Sequence, residues 1–297
     1  MKVFVTGATG FIGTAIVQDL LQAGHQVVGL SRSATSSEKL KAAGADVQPG
    51  DLEDLDSLRS GAAAADGVIH AGFIHDFSRF KEVCEIDKKA IETIGAVLAG
   101  SNKPLIVSSG TALVRPGALA TEDIPSEIDV HKFPRVSEGT ADRVAAQGVR
   151  AAAIRLSPSV HGEGDHHGFI PTLINIAREK GKAAYIGDGE NRWNAVHRLD
   201  AARLFRLALE QGTAKAKYHA VGDEAITLKT IAEIIGRQLN LPVVSIAPAA
   251  AADHFGWFAM MASLDCPASS QLTQQRLSWK PTHPGLLEDL NSGIYFK

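Results

Sequence analysis

The sequence predicts an α/β fold in which a doubly wound parallel sheet is followed by a smaller C-terminal lobe. Three observations predict it. Short apolar runs alternate with amphipathic stretches through the first half of the chain. A glycine-rich turn, Thr6–Gly13, joins the first apolar run to the first amphipathic stretch. The alternation ends near Val160, so we expect a sheet domain over 1–160, with elements near 195–221 returning to it, and a lobe over 161–297.

The apolar runs are short enough to be buried parallel strands: Val3–Thr6, Gln26–Ser31, Asp46–Gln48, Gly67–Ala71, Leu105–Ser108 and Arg150–Leu156. The stretches between them have helical spacing: Phe11–Gln22, Ser37–Ala43, Asp54–Ala63, Phe80–Leu98 and Val136–Gln147. Right-handed crossovers would place these helices on both faces of the sheet. A helix around Asp200–Glu210 and a strand over Lys217–Val221 should return to it. Ligands in such folds bind at the carboxyl ends of the strands, so we expect the functional cleft there.

Composition excludes several classes of protein. The 297 residues carry a net charge of −3, which argues against a nucleic-acid partner. Cys84 and Cys266 lie far apart and indicate no disulfide framework. No apolar stretch is long enough to span a bilayer, and Met1-Lys2 leads directly into a strand. We therefore expect a cytoplasmic protein with no membrane partner.

The turn Thr6–Gly13 has the spacing G-x-x-G-x-x-G and follows the apolar residues Val3-Phe4-Val5. Glycines let the backbone approach a pyrophosphate closely, and the following helix directs its free N–H groups at the phosphates. With a strand before and a helix after it, the turn predicts a Rossmann-type dinucleotide site rather than purely structural glycines. Its binding residues would be Gly7, Thr9, Gly10, Phe11, Ile12 and Gly13.

The end of the second strand indicates which dinucleotide binds. An acid there would accept the ribose 2′-hydroxyl of NAD, but this strand ends in Ser31-Arg32-Ser33. The fork of Arg32 suits a 2′-phosphate, so NADP is favoured, the alternative being a solvated loop arginine. Asp51-Leu52 is placed to meet the adenine edge; the alternative for Asp51 is the cap of the next helix, and the two roles are compatible. Ala71 and Gly72 would let the backbone lie against the cofactor.

Further motifs follow the same order as in a known superfamily. They are the turn Thr6–Gly13, Asp51-Leu52, Ser108–Thr111, Arg155–Gly162 and Ala195–Asp200. With these motifs the chain resembles the short-chain dehydrogenase/reductase superfamily in its extended branch of epimerases, dehydratases and related reductases. The resemblance implies that Ser157, Pro158, Ser159 and Val160 line the nicotinamide, with Ser108 nearby.

The chain departs from that superfamily where the chemistry should be. The superfamily uses a Tyr followed four residues later by a Lys, and none of Tyr185, Tyr218 and Tyr295 has that partner. The aligned segment has Pro134 at the Tyr position and Glu138 at the Lys position. The resemblance therefore implies an atypical member, in which Glu138, water or a histidine would relay a proton.

Other residues are candidates for catalysis. The resemblance places a substrate-binding hydroxyl at Ser109, or else Thr111, unless these only cap the strand. Asp87 lies on the buried stripe of its helix as a structural acid or as a member of a proton relay. His161 is a proton donor or a plain loop histidine. The clustered acid and imidazoles of Asp165-His166-His167 raise the question of a metal, but we expect no metal site there. Arg192-Trp193 either clamps a substrate or packs between lobes.

Three functions remain open. The first is an NADP-dependent reductase or dehydrogenase of a small carbonyl or alcohol substrate. The second is a sugar-type epimerase or dehydratase, disfavoured because residues 245–264 contain no Lys or Arg to meet nucleotide phosphates. The third is a non-catalytic NADP-binding redox sensor. The helices Phe80–Leu98 and Val136–Gln147 could pair across a two-fold axis in a homodimer.

Overall fold

A computed structural model describes residues 1–112, 114–126 and 133–297, except the side chain of Phe77. The strands in chain order are β1 (Lys2–Thr6), β2 (Gln26–Ser31), β3 (Asp46–Pro49), β4 (Gly67–His70), β5 (Pro104–Gly110), β6 (Arg150–Leu156), β7 (Ser159–His161), β8 (Ala183–Ile186), β9 (Arg192–His197), β10 (Lys217–Ala220), β11 (Asp223–Thr227) and β12 (Val243–Ile246). The helices are α1 (Phe11–Gln22), α2 (Ala34–Ala42), α3 (Leu55–Ala63), α4 (Phe80–Leu98), α5 (Ser137–Ala146), α6 (Phe169–Lys180), α7 (Arg198–Gln211), α8 (Leu228–Leu239), α9 (Ala251–Phe255), α10 (Ala259–Ala262), α11 (Gln271–Leu277) and α12 (Leu286–Ser292).

The main sheet has seven strands in the order β10-β6-β5-β4-β1-β2-β3, all parallel. Apolar side chains of both faces are buried, one face against α1 and α7 and the other against α3, α4 and α5. The doubly wound α/β sheet is confirmed. The chain returns to this sheet after β9: α7 packs on α1, and β10 pairs with β6.

Predicted and observed boundaries agree closely, and two differences have physical causes. Helix α2 begins at Ala34 rather than Ser37, because the Ser33 side chain accepts the N–H of Ser36 and caps the helix earlier. Strand β5 continues to Gly110 rather than ending at Ser108, because Ser109 and Gly110 still pair with β6. The polar end of β5 therefore belongs to the sheet and is held rigidly.

The remaining elements form a second core. A three-stranded sheet, β11-β9-β7, and the pair β12-β8 pack with α6 and α8 around the fully buried Trp193. Strand β7 directly follows β6 of the main sheet, and β9 directly precedes α7, which packs on that sheet. The lobe therefore lies at the carboxyl ends of the main-sheet strands. In the part of the chain that the structure describes, no helix is long and apolar enough to cross a bilayer.

Both thiols are free and buried, as the sequence indicated. Burial raises the pKa of Cys84 to about 11 and that of Cys266 to about 12. Each sulfur is therefore a protonated thiol at neutral pH and a poor nucleophile.

Candidate active site

The glycine turn is packed against the end of β4. Gly7 has φ +68°, and a Cβ there would lie 2.7 Å from the backbone N of Gly72. A Cβ on Gly13 would lie 1.9 Å from the Gly7 carbonyl oxygen. Gly10 precedes α1 without a side-chain cap, so the first N–H groups of the helix remain for an external acceptor. This geometry fits a pyrophosphate above the turn.

A cleft of about 290 Å³ lies beside the ends of β2 and β3. The residues lining it are Ser31, Arg32, Ser33, Ala34, Ser37, Pro49, Gly50 and Asp51. The Arg32 side chain is exposed and forms no ion pair with any residue the structure describes. One edge of the cleft is the N-terminus of α2, whose positive end also favours an anion. The cleft therefore suits a phosphate attached to a ribose.

Asp51 is the acidic residue of that lining, but its carboxylate is already used. It accepts the N–H groups of Glu53 at 2.8 Å and Asp54 at 3.0 Å. The cap of α3 is Asp54, which accepts from Asp56 and Ser57, so the alternative that Asp51 caps this helix is wrong. Asp51 instead closes the turn that carries Leu52, which packs against Gly72.

A buried polar chain runs from the glycine turn to the start of α5. Thr6 Oγ1 accepts the N–H of Gly72 at 3.2 Å and lies 2.9 Å from His70 Nδ1. His70 Nε2 lies 3.1 Å from Asp87 Oδ1, and the Ser137 hydroxyl donates to Asp87 Oδ2 at 2.6 Å. Asp87 is thus bound by two side chains, His70 and Ser137.

The His70 ring joins the two ends of this hydrogen-bonded series through its two nitrogens. Nδ1 lies against Thr6 Oγ1, Nε2 lies against Asp87 Oδ1, and Asp87 Oδ2 accepts the Ser137 hydroxyl. Arg135 Nε donates to Ser137 Oγ at 3.3 Å, so a guanidinium balances the buried carboxylate across one hydroxyl. This polar series therefore orients residues at the site. It does not end in a proton acceptor, because Arg135 at its end cannot accept a proton.

Glu138 is held by an arginine from the neighbouring strand β6. Arg155 Nε and Nη2 each donate to a carboxylate oxygen of Glu138 at 2.7 Å, and the Arg155 side chain is 0% exposed. Burial alone would raise the pKa of Glu138, but the hydrogen bonds and charge of Arg155 outweigh it and lower that pKa. Glu138 is therefore ionised at neutral pH and cannot donate a proton.

The hydroxyls at the end of β5 differ in accessibility. Ser109 is half-buried, with Oγ 3.5 Å from Glu138 Oε2. Thr111 is buried, and its Oγ1 lies 3.0 Å from Asn194 Oδ1 and 3.2 Å from the Leu156 carbonyl. Ser109 is thus the better placed of the two to meet a substrate.

Two buried hydroxyls near the strand ends lack a hydrogen-bond partner among the described residues. They are Ser108 Oγ in β5 and Ser159 Oγ in β7. Ser157 differs, because its hydroxyl donates to the Ala220 carbonyl at 2.8 Å. Orphaned buried hydroxyls require an explanation, and the polar carboxamide and ribose of a nicotinamide nucleotide would supply partners here.

His161 lies in the interior of the lobe. Its side chain is 0% exposed, its Nδ1 is 2.6 Å from Asp289 Oδ2, and its ring contacts His197 edge-on. His197 stacks on His283, and burial lowers the pKa of His197 to about 4. This position does not support the prediction that His161 donates a proton at the cleft, because its side chain is closed to solvent; its Nε2 has no hydrogen-bond partner among the described residues.

The other lobe candidates are structural. Arg192 forms an ion pair with Asp265 at 2.8 Å, as the structural alternative expected. Trp193 is 0% exposed, but it packs inside the core of the lobe rather than between lobes. Asp165 accepts the N–H of Gly168 at 2.8 Å and the Tyr295 hydroxyl at 3.2 Å. Within residues 1–112, 114–126 and 133–297 no group of side chains could hold a metal ion.

The sequence analysis missed Arg135. Its guanidinium lies 4.3 Å from the centre of the Phe73 ring, at the carboxyl end of β4. Its position in the sequence could have identified it as a site residue, because it directly follows Pro134, which aligns with the superfamily's tyrosine. A cation thus lies beside the site that has lost its lysine.

Comparisons with known proteins agree with this geometry. A model of the "NAD dependent epimerase/dehydratase family" matches residues 3–112 and 136–221. An uncharacterized protein of Schizosaccharomyces pombe is 53% identical over the full length of both chains. The decarboxylating sterol-4-alpha-carboxylate 3-dehydrogenase of Dictyostelium discoideum is 28% identical over 76% of this chain and 72% of its own. A dTDP-glucose 4,6-dehydratase structure from Streptomyces venezuelae with NAD bound has TM-score 0.78 and 19% identity, covering 99% of this chain and 96% of that one.

Proposed function

Because this chain belongs to the NAD dependent epimerase/dehydratase family, we propose that it is an NADP-dependent reductase or dehydrogenase of a small carbonyl or alcohol substrate. It is an atypical NAD(P)-dependent oxidoreductase of the short-chain dehydrogenase/reductase superfamily, without the Tyr–Lys pair. The substrate would bind where β4, β5 and α5 meet. The choice of NADP, the direction of reaction and the residue roles below belong to the proposal.

The cleft around Arg32 carries the proposal of NADP. A 2′-phosphate there would meet the Arg32 guanidinium and the N-terminus of α2. Asp51 lies on the other side of the cleft, where two backbone N–H groups already hold its carboxylate. No acid ends β2, so the 2′-hydroxyl of NAD would lack the carboxylate that usually accepts it.

When bound, the nicotinamide would supply or accept a hydride. The Ser109 hydroxyl would donate a hydrogen bond to the substrate oxygen as negative charge develops on it. Glu138, fixed by Arg155, would keep the start of α5 in place. The Ser109 hydroxyl has one proton, so it would turn from its 3.5 Å bond to Glu138 Oε2 towards the substrate oxygen. The orphaned hydroxyls of Ser108 and Ser159 would bind the cofactor.

Loss of the Tyr–Lys pair lowers the expected rate without removing the activity. A positioned general acid contributes about 10²–10⁴-fold. That corresponds to about 3–5 kcal/mol of barrier, since each tenfold is about 1.4 kcal/mol. Water reaching the half-buried Ser109 would supply the proton that the absent tyrosine supplies elsewhere.

A redox sensor is the second candidate, and the Glu138–Arg155 pair favours it. At the position of the catalytic lysine the chain carries an ionised carboxylate bound to a buried arginine, so this part of the site serves structure rather than chemistry. Such a protein would keep the dinucleotide cleft and turn nothing over.

Turnover separates the two candidates. Purified protein is mixed with NADPH and a panel of aldehydes, ketones and oxo acids, and the loss of absorbance at the nicotinamide band is followed. The proposal expects at least one carbonyl to be reduced, with turnover lowered in Ser109→Ala. Tight NADPH binding with no consumption against the whole panel, and none of NADP with the matching alcohols, would favour the sensor.

A further inference from the structure

Arg135 is fixed in one orientation beside Phe73, near the carboxyl end of β4. Its Nε donates to Ser137 Oγ at 3.3 Å, and Ser137 is itself held by the buried Asp87 at 2.6 Å. The guanidinium stacks over Phe73, 4.3 Å from the ring centre. Cation–π stacking and one inward hydrogen bond together leave little freedom for this side chain.

This guanidinium has no anionic partner in the described part of the chain. No carboxylate there lies within ion-pair distance of it, and its Nη1 and Nη2 donate no hydrogen bond to a described residue. Asp87, the nearest acid in the network, is already bound by His70 and Ser137. Burial lowers the pKa of Arg135 and the charge of Asp87 opposes this shift, but arginine stays a cation at neutral pH.

Among the described residues the charge of Arg135 meets Asp87 only across the Ser137 hydroxyl, and a half-buried guanidinium with so indirect a partner is an unfavourable arrangement for a protein that uses it only for folding. It is favourable if a ligand supplies the anion, because the guanidinium fork presents parallel N–H groups to a carboxylate. Nη1 and Nη2, which donate to no described residue, are the groups that such a fork would use.

Aromatic rings surround the same place. Phe73 and Phe80 are 6.5 Å apart between ring centres, and Phe80 and Phe133 are 5.0 Å apart. All three side chains are half-buried, so part of each remains accessible. They form an apolar wall beside Arg135, typical of a pocket for a flat or branched apolar group.

The wall and the arginine lie next to the proposed reacting position. Phe73 follows Gly72, which contacts Gly7 of the glycine turn, and Ser137 precedes Glu138, which contacts Ser109. A substrate whose oxygen is bound by Ser109 would therefore extend past α5 towards Arg135.

We propose that Arg135 binds a carboxylate of the substrate and that Phe73, Phe80 and Phe133 pack against its apolar part. Resting on the proposed function, this assigns the substrate class as oxo acids, or the corresponding hydroxy acids, with an aryl or branched alkyl group. Arg135 is then a specificity residue rather than the source of the missing proton.

The test compares acids with their neutral esters. Benzoylacetate and phenylpyruvate, and their ethyl esters, are used as probes with wild type, Arg135→Met and Arg135→Lys. A charge-assisted pair is lost in Arg135→Met, so KM for the acids should rise about 10- to 100-fold while KM for the esters stays within about twofold. Arg135→Lys keeps the charge without the fork and should fall between. The Kd of NADPH should not change in either variant.

A second readout does not need turnover. Calorimetry measures the binding of the same acids and esters to the protein saturated with NADP. Wild type should bind an acid at least about tenfold more tightly than its ester, and Arg135→Met should abolish that preference. If no probe is reduced but this preference is present, the proposed function fails and the carboxylate site stands.

Three results would overturn the inference. One is an acid and an ester that bind wild type equally. Another is an acid preference that persists in Arg135→Met. The third is an NADPH affinity that falls with Arg135→Met, because Arg135 would then bind the cofactor rather than the substrate. Should Arg135→Met not fold, Arg135→Lys carries the comparison, and an unchanged acid preference together with an unchanged KM there also contradicts the proposal.

Discussion

The pair formed by Glu138 and Arg155 gives the most direct test of what replaced the superfamily's catalytic lysine. In Glu138→Ala the buried guanidinium loses two acceptors, each at 2.7 Å, and its Nη1 keeps only bonds to the Glu122 and Ile124 carbonyls and to His219. Removing one partner of a buried pair costs about 3–5 kcal/mol, because the other charge stays buried. We expect a loss of that size in the free energy of unfolding.

Equilibrium unfolding in urea, followed by far-ultraviolet circular dichroism, measures this loss. Glu82→Ala is the matched control, because Glu82 pairs with Arg79 on the same kind of helix end but both side chains are about half exposed. Exposed pairs contribute about 0–1 kcal/mol, so the control should lose little. If Glu138→Ala is no less stable than the control, the pair is not structural, and Glu138 is free to serve as the proton relay that we reject.

Three further predictions concern the cofactor, the substrate and acid stability. Arg32→Asp should weaken NADPH binding about 10- to 100-fold and leave NADH binding equal or tighter; unchanged NADPH affinity by calorimetry would refute the reading of that loop. Ser109→Ala should lower kcat at least about tenfold, as loss of an oxyanion donor does, and a neutral result would move the role to Thr111. Burial lowers the pKa of His219 from 6.5 to about 4, so the unfolded chain binds more protons between those values and unfolding free energy falls as pH drops through that window. His219→Gln should flatten that slope in urea titrations at pH 6.5 to 4.5, and parallel curves for variant and wild type would contradict it.

The sheet domain was predictable because its signals are local. The helical spacing of apolar residues predicted the observed ends of α1 and α4. The glycine spacing of Thr6–Gly13 predicted the turn between the first strand and the first helix. The end of β2 at Arg32 could also be located, since a strand end needs only the local apolar pattern. These features do not depend on what lies across the molecule.

The site itself was less predictable because its contacts are between distant residues. Glu138 was a candidate relay until the register of β5 and β6 placed Arg155 beside it. His161 follows a motif shared with cleft residues, yet α12 places Asp289 against it inside the lobe. The sequence shows the order of these residues along the chain. It does not show which residues, distant in sequence, come into contact when the protein folds.

Glu138 and His161 were predicted candidates that the structure does not support, whereas Arg135 is a candidate that the sequence did not predict. An arginine in a loop before a helix is ordinarily solvated, and its position after Pro134 does not by itself show that it has a role. Its importance follows from three separate elements, namely Phe73 after β4, Asp87 in α4 and Ser137 in α5, which converge only in the folded protein.

Calorimetric titration of the purified protein with NADPH and with NADH tests the central claim, that the glycine turn and the cleft at Arg32 together hold a dinucleotide with a 2′-phosphate. The account predicts one NADPH per chain, bound at least about tenfold more tightly than NADH because Arg32 adds a charge-assisted contact. Equal affinity for the two, or no binding of either by folded protein, would contradict it.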